Sequence, residues 1–187
     1  TSYSGPGVGG NTYGSITKPL NLGSGGGGSS YTSGGGGPGS AGGGSIFLNI
    51  TDTLIVNGTI GAMGAAGVNG SGSGGTGGGG GSGGSVYLIS STFAGNGTIN
   101  ASGGGGGNGD SSIVAAGGGG AGGRIAVYYT TKTFNGIIQA AGGLLGKTQD
   151  TSITNDGGNG FIGTIAQLYP GPNYNNINIT SGTGNLS

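Results

Sequence analysis

The sequence contains no cysteine, no histidine and no glutamate, and each absence removes a class of function. Without cysteine there are no disulfides and no thiolate metal sites. Without histidine for a triad, a cysteine nucleophile or glutamate, the common general bases are missing, so we expect neither an enzyme nor a bound cofactor. Four aspartates remain, and we interpret them as solvated turn residues: Asp52, Asp110, Asp150 and Asp156.

Charge is also scarce. Four basic and four acidic residues make up 4% of the chain, whereas about a quarter of a soluble domain is usually charged. Nucleic acid is excluded as a partner because phosphate binding requires clustered lysine and arginine. No apolar run reaches the roughly 18 residues of a transmembrane helix. We expect solubility to come from glycans, from hydroxyl and amide groups, or from burial of the surface in an assembly.

Glycine is abundant instead, at 58 of 187 residues. Collagen is excluded because the glycines form runs, such as 77–81, and only five prolines are present. Such a composition is often disordered, since glycine loses the most backbone entropy on folding. Here the glycine tracts alternate with dense apolar phrases in a fixed register, which favours an ordered fold.

The apolar phrases recur with a nearly constant period. One begins at Ser45, Ser85, Arg124 and Thr164, and a second begins at Gly58, Gly97 and Gly136. In both series the interval is about 39 residues, which lies within the range of known structural repeats. Apolar side chains alternate within the phrases, as in half-buried β-strands. A fixed period of this length is typical of stacked repeat architectures.

We therefore predict an all-β fold without helices, namely a repeat β-solenoid similar to a parallel β-helix, with units of about 39 residues. Three units (45–84, 85–123 and 124–163) lie between an incomplete opening unit with its glycine tract (1–44) and an incomplete closing unit (164–187), all in one domain. The glycine-rich connections are expected to resemble polyglycine II, an extended helix that rises ~3.1 Å per residue. Mobile loops are the alternative for these tracts, and a β-sandwich of hairpins is the alternative fold.

The same pattern predicts two apolar ladders in the core. The first contains Ile46, Leu48, Val86, Leu88, Ile125, Val127 and Ile165. The second contains Ile60, Ile99 and Ile138. In a stacked fold, each residue should contact its counterpart in the next unit.

Candidate sites are few. The segment 106–111 approaches a calcium-binding repeat, but its aspartate comes one residue early and the motif occurs once, so we expect no metal. Several tyrosines could stack on sugars, although partial burial is their commoner role: Tyr3, Tyr13, Tyr31, Tyr128, Tyr129, Tyr169 and Tyr174. Possible N-glycosylation sequons are at Asn49, Asn57, Asn69, Asn96, Asn100, Asn178 and Asn185.

The junctions Gly-Gly-Ser-Ile at 43–46, Gly-Gly-Ser-Val-Tyr-Leu at 83–88 and Gly-Gly-Arg-Ile-Ala-Val-Tyr-Tyr at 122–129 resemble a known group. They are similar to glycine-rich, β-helix-like repeat modules of large secreted or surface-anchored proteins, which are adhesin-like or fibre-forming. The resemblance implies a parallel β-helical or solenoid fold and an extracellular or cell-surface location.

We expect a structural subunit or segment of an extracellular fibre, filament or surface layer that assembles head-to-tail with copies of itself. Residues 1–22 of one copy would complete residues 164–187 of the next. The alternative is an adhesin or tail-fibre-like recognition module that binds surface glycans or proteins through its glycine-rich loops.

Overall fold

The computed structural model describes residues 13–30, 35–72, 74–110, 115–148, 163–168 and 178–181. Within these ranges the protein is all β, without a helix. The strands are β1 (Ser45–Asn49), β2 (Thr53–Ile55), β3 (Thr59–Gly61), β4 (Ser85–Ala94), β5 (Thr98–Asn100), β6 (Arg124–Lys132), β7 (Ile137–Gln139), β8 (Thr164–Leu168) and β9 (Asn178–Ser181).

Six strands form the long sheet, in the order β1-β4-β6-β8-β9, with β2 also paired to β4. The pairs from β1 to β8 are parallel, and each partner lies one repeat period further along the chain, as in Ser45 with Ser85 and Ser85 with Arg124. Among the described strands of this sheet, only β8 and β9 form an antiparallel pair. The predicted interval between phrases is therefore the interval between hydrogen-bonded strands.

A short sheet of β3, β5 and β7 is also parallel, and it aligns Ile60 with Ile99 and Ile99 with Ile138. We call β1–β3 the first layer, β4 and β5 the second layer, and β6 and β7 the third layer. The hairpin alternative predicted antiparallel pairs between consecutive strands. Parallel pairing of β1 to β7 contradicts that alternative among the described strands.

The core lies between the two sheets and contains the members of the predicted ladders whose side chains are described, except Ile46, which is half-buried and is not among the side chains packed against the core cluster. Val86, Leu88, Ile125, Val127 and Ile99 are fully buried in one apolar cluster, and Leu48, Ile60 and Ile138 pack partly buried against it. Burying one such side chain contributes ~1.5–3 kcal/mol. Ile165 aligns with Ile125 in the backbone register of β6 and β8.

The glycine tracts form extended segments, which we call rods. In chain order they are rod A (23–29), rod B (37–44), rod C (62–70), rod D (76–84), rod E (101–109), rod F (115–123) and rod G (140–148). Neighbouring rods are joined by backbone hydrogen bonds at every third residue; Gly64, Gly67 and Gly70 of rod C, for example, donate to rod E. A period of three residues per turn is that of the polyglycine II helix.

Rod D lies at the centre of this bundle and bonds to five other rods. Its N–H groups donate to rods A, C and F, and its carbonyls accept from rods B and E. Six glycines of rod D are buried. An added Cβ at any of these six positions would lie 1.9 to 2.2 Å from a carbonyl oxygen of another rod, closer than real Cβ atoms come.

Rod C, at the edge of the bundle, needs glycine only where another part of the backbone lies close to it. At Gly64, Gly67 and Gly70 an added Cβ would lie 2.0 to 2.3 Å from backbone atoms of other segments. The remaining positions carry larger side chains such as Met63 and Val68, which are exposed. Glycine content therefore follows the number of neighbours a rod has. The rods need glycine because there is no space for a side chain, and not because of their backbone conformation. Among the described glycines, φ is positive only at Gly14, Gly72, Gly74 and Gly95.

Candidate functional site

The first layer leaves an open edge on both sheets. β1 is the outermost strand of the long sheet on one side, and β3 is the outermost strand of the short sheet. Phe47 and Ile55 of this layer are exposed by 51% and 62%. Asp52, in the turn between β1 and β2, is the only charged residue from β1 to β3. Edge strands of monomeric proteins are usually protected by charge, proline or a covering segment.

Comparison of equivalent positions shows what this edge lacks. Leu48 and Ile60 of the first layer are half-buried, whereas their partners Leu88 and Ile99 in the second layer are fully buried. The partners differ because the second layer has strands on both sides. One more layer stacked on β1 to β3 would bury the same side chains.

The opposite end differs in the two sheets. In the long sheet, β9 pairs with β8 and is the last strand. In the short sheet, β7 is last, and its Ile138 is half-buried while Ile137 is 59% exposed. Both ends of the short sheet thus expose apolar side chains among the described residues.

The outer face of the long sheet is covered by the segment 13–22. The Ser85 hydroxyl donates to the carbonyl of Asn21 over 2.6 Å, and the Tyr128 hydroxyl donates to the carbonyl of Thr17 over 2.9 Å. The Tyr13 ring lies 5.4 Å from the Arg124 guanidinium, within reach of a cation–π contact. The prediction that residues 1–22 join a neighbouring copy does not fit residues 13–22, which pack on the long sheet of their own chain.

Tyr87 and Tyr129 are both buried, and each lies in a different group of aromatic rings. Tyr87 stacks on Phe47, with ring centroids 4.9 Å apart, and burial raises the pKa of the Tyr87 hydroxyl above its ordinary value. Tyr129 is buried and lies 6.1 Å from Phe93, which itself stacks on Phe134 at 4.4 Å. Tyr129 is therefore a core residue rather than a sugar platform. The tyrosine candidates Tyr3, Tyr31, Tyr169 and Tyr174 lie outside the described residues.

A polar cleft of about 300 Å³ lies where rods C, E and G end, and it is lined by Asn69, Gly70, Asn108, Gly109, Asp110, Lys147 and Thr148. The Asn69 Oδ1 atom accepts a hydrogen bond from the backbone N–H of Asn108, and the Asn108 Oδ1 atom accepts one from the N–H of Lys147. These two asparagines thereby connect three successive rods.

The described part of the calcium-like segment, residues 106–110, reaches this cleft, and its N–H groups form hydrogen bonds within the fold. The N–H groups of Gly106 and Gly109 donate to rod G. The N–H of Asp110 donates to the carbonyl of Gly75. No group of three metal-ligating side chains occurs among the described residues, and Asp150 and Asp156 lie outside them.

The sequons have different accessibility. Asn49, Asn57, Asn69 and Asn96 are exposed, and Asn100 is half-buried in β5. The Asn100 Oδ1 atom accepts from the N–H of Ser102, and its Nδ2 group contacts the Met63 sulfur at 3.1 Å. Asn178 begins β9, and Asn185 lies outside the described residues. Glycan attachment at the exposed sequons stays a prediction.

Comparison with protein-family models, with curated proteins and with solved structures finds no match to this chain. Over the described ranges, no helix has the length and apolarity needed to cross a membrane. The resemblance to secreted β-repeat modules therefore stays a hypothesis.

Proposed function

We propose that this protein is a structural subunit or segment of an extracellular fibre, filament or surface layer, in which copies assemble head-to-tail. Its fold in this proposal is a β-solenoid with one coil per repeat unit. Support comes from the parallel register of both sheets, in which each strand of β1 to β7 pairs with its counterpart one repeat period away.

The observation that carries the proposal is the open first layer. Its inward side chains Leu48 and Ile60 are half-buried, and no described strand covers them. Stacking a second copy on this edge would bury them and pair the free N–H and C=O groups of β1. A contact between two different ends of the same molecule need not close on itself, so it generates a filament.

The joint in the long sheet would bring β1 of one copy against β9 of the next. β9 is the last strand at the other end of that sheet and is antiparallel to its neighbour, β8. Its four residues can pair with the five residues of β1. The long sheet would then continue from copy to copy.

The experiment is electron microscopy and analytical ultracentrifugation of the purified chain at rising concentration. Phe47→Lys places a charge on the open edge, and Thr131→Lys places the same charge at an exposed position of β6 away from that edge, where Thr131 pairs with Thr92 of β4. We expect filaments from the wild type and from Thr131→Lys. We expect Phe47→Lys to need about tenfold more protein for assembly, which corresponds to ~1.4 kcal/mol per joint.

Two results would contradict the proposal. One is a wild-type chain that sediments as a monomer up to millimolar concentration. The other is equal assembly of the two lysine variants, since the open edge would then not be the joint.

The second candidate function is a recognition module at a fibre tip or cell surface, and the polar cleft favours it. Amide, hydroxyl, carboxylate and ammonium groups surround about 300 Å³ there, and such groups suit the hydroxyls of a glycan. A glycan array separates the two candidates: binding abolished by Asn108→Leu, with assembly unchanged, would favour recognition.

A further inference from the structure

The dipeptide Asn-Gly recurs in this chain with the period of the repeat. Five such pairs lie within the described residues, and they begin at Asn57, Asn69, Asn96, Asn108 and Asn135. Asn57 and Asn96 are 39 residues apart, as are Asn69 and Asn108. All five asparagines are exposed, so their side-chain amides are accessible to chemistry at the surface.

An Asn-Gly pair can modify itself. The backbone nitrogen of the glycine attacks the Cγ atom of the asparagine side chain, and glycine has no side chain of its own to obstruct the approach. The new N–Cγ bond closes a cyclic imide, the Cγ–Nδ2 bond breaks, and the amide group leaves as ammonia with the proton of the glycine nitrogen. Water then opens the ring at one of its two carbonyls, which leaves aspartate or isoaspartate. The local structure decides which pair reacts.

The fold restrains the attacking nitrogen in three of the five pairs. There the glycine N–H donates to a backbone carbonyl of a neighbouring repeat unit over 2.8 to 3.0 Å; the donors are Gly70, Gly97 and Gly109. Such a bond has to open before the nitrogen can lose its proton and turn towards Cγ. The folded state therefore slows the reaction at these pairs by the free energy of that local opening.

The pair Asn57–Gly58, in the first layer between β2 and β3, lacks this restraint. Both residues are exposed, and an added Cβ at Gly58 would find no other atom within 4 Å. The N–H of Gly58 forms no backbone hydrogen bond to another described residue. This part of the backbone is therefore open to the water that has to take up the proton.

The fold also prepares the carbonyl group that is attacked. The backbone N–H of Asn96 donates to the Asn57 Oδ1 atom over 3.3 Å. Negative charge develops on this oxygen while the N–Cγ bond forms, and a fixed donor stabilises that charge. Asn69 and Asn108 have a donor on Oδ1 as well, but the nitrogens that would attack them are hydrogen-bonded. Among the five pairs, Asn57–Gly58 combines a hydrogen-bonded Oδ1 atom with an exposed glycine.

Asn135–Gly136 is the intermediate case. Gly136 is half-buried, and an added Cβ there would lie 2.0 Å from the carbonyl oxygen of Gly97 and 2.4 Å from the Phe134 ring. This crowding restricts the backbone movement that brings the nitrogen to Cγ.

We propose that Asn57–Gly58 is a self-modification site, which deamidates through the cyclic imide while the fold slows the other four described pairs. The product carries a carboxylate, so the first layer gains a second negative charge in addition to Asp52. Isoaspartate also lengthens the main chain between β2 and β3, because the Cβ atom becomes part of it. This site goes beyond the proposed assembly and does not depend on whether copies stack.

The test is peptide mapping by mass spectrometry on the full chain, produced without N-glycans and kept dilute in mildly alkaline buffer. Deamidation is measured from the mass gain when an amide becomes a carboxylate. We expect Asn57 to react about tenfold faster than Asn69, Asn96 and Asn108, which is the factor for one hydrogen bond that has to open. Asn135 should react at an intermediate rate.

The same chain unfolded in urea is the reference. Unfolding releases every glycine nitrogen, so the five pairs should then react at rates within about threefold of one another. The comparison needs no substitution, so it decides the matter even if a variant fails to fold.

A pair of alanine variants tests the attacking nitrogen. Gly58→Ala fits the open space at this position, where φ is not positive, and its Cβ should slow deamidation of Asn57 about tenfold. Gly44→Ala is the control, since Gly44 also has open space around it but follows no asparagine; it should leave the rate at Asn57 unchanged. Deamidation of Asn57 no faster than that of Asn96 in the folded chain would overturn the proposal. The same order of rates in urea would also overturn it, because the selectivity would then come from the sequence alone.

Discussion

Substitution of a single central glycine should destabilise this protein far more than the addition of one methyl group usually does. In Gly80→Ala the new Cβ would lie 2.1 Å from the carbonyl oxygen of Gly104 and 2.6 Å from that of Gly105. Ordinary contacts of this kind exceed about 3.4 Å, so rods D and E would have to separate by roughly 1 Å. Overpacking of a dense interior costs ~1–3 kcal/mol.

The separation would also stretch hydrogen bonds. Gly104 donates to the carbonyl of Gly81 over 2.8 Å, and Gly107 donates to the carbonyl of Gly78 over 2.8 Å, and both bonds join rods D and E. Each buried bond contributes ~0.5–1.5 kcal/mol net. We therefore expect Gly80→Ala to lower the free energy of unfolding by ~2–6 kcal/mol, the sum of overpacking and two weakened hydrogen bonds.

Gly105→Ala is the matched control, since its Cβ would meet only the carbonyl oxygen of Leu144, at 3.6 Å. Its φ is not positive, so alanine should stabilise the protein by ~0.4–1 kcal/mol by reducing the entropy of the unfolded chain. The measurement is urea unfolding of both variants, with scanning calorimetry as a second probe. Equal stability of the two variants, or a more stable Gly80→Ala, would refute the steric argument for the glycine content.

Two further predictions concern the core and the outer face. Ile99→Ala, at a fully buried position of the second layer, should cost ~2–5 kcal/mol of unfolding free energy, and Ile138→Ala, half-buried at the sheet end, should cost less than half as much; similar losses would contradict the assigned layers. Because burial raises the pKa of Tyr87, the folded state favours its neutral form, so stability should be unaffected below the ordinary tyrosine pKa of ~10 and fall as pH rises above it. Tyr87→Phe should weaken this alkaline loss in pH-dependent unfolding, and an unchanged pH profile would contradict the burial effect.

The strand pairing could be predicted from the sequence because each apolar phrase returns after a nearly constant interval. Apolar alternation identified the residues that face inward, such as Val86 and Leu88. A register shift by one residue would move these side chains to the outer face, so the pattern leaves one register favourable.

The aromatic cluster could not be predicted in this way. Phe93 and Phe134 belong to different positions in the repeat, since the register pairs Phe93 with Lys132, yet their rings stack at 4.4 Å. Tyr129 was a candidate sugar platform in the sequence and is a core residue in the structure. Local alternation describes single strands, whereas the stacking of Phe93 on Phe134 joins side chains from two different layers.

The sequence by itself predicted strands at the apolar phrases and favoured their parallel order and an extended three-residue period of the glycine tracts, because these depend on local spacing and on the absence of side chains. Only the tertiary structure decided which rods are neighbours. Rod A bonds to rods B and D, and the segment 13–22 covers the long sheet through contacts with residues far along the chain, as between Asn21 and Ser85. Glycine rods are nearly identical in sequence, so their partners are chosen by the geometry of the whole bundle.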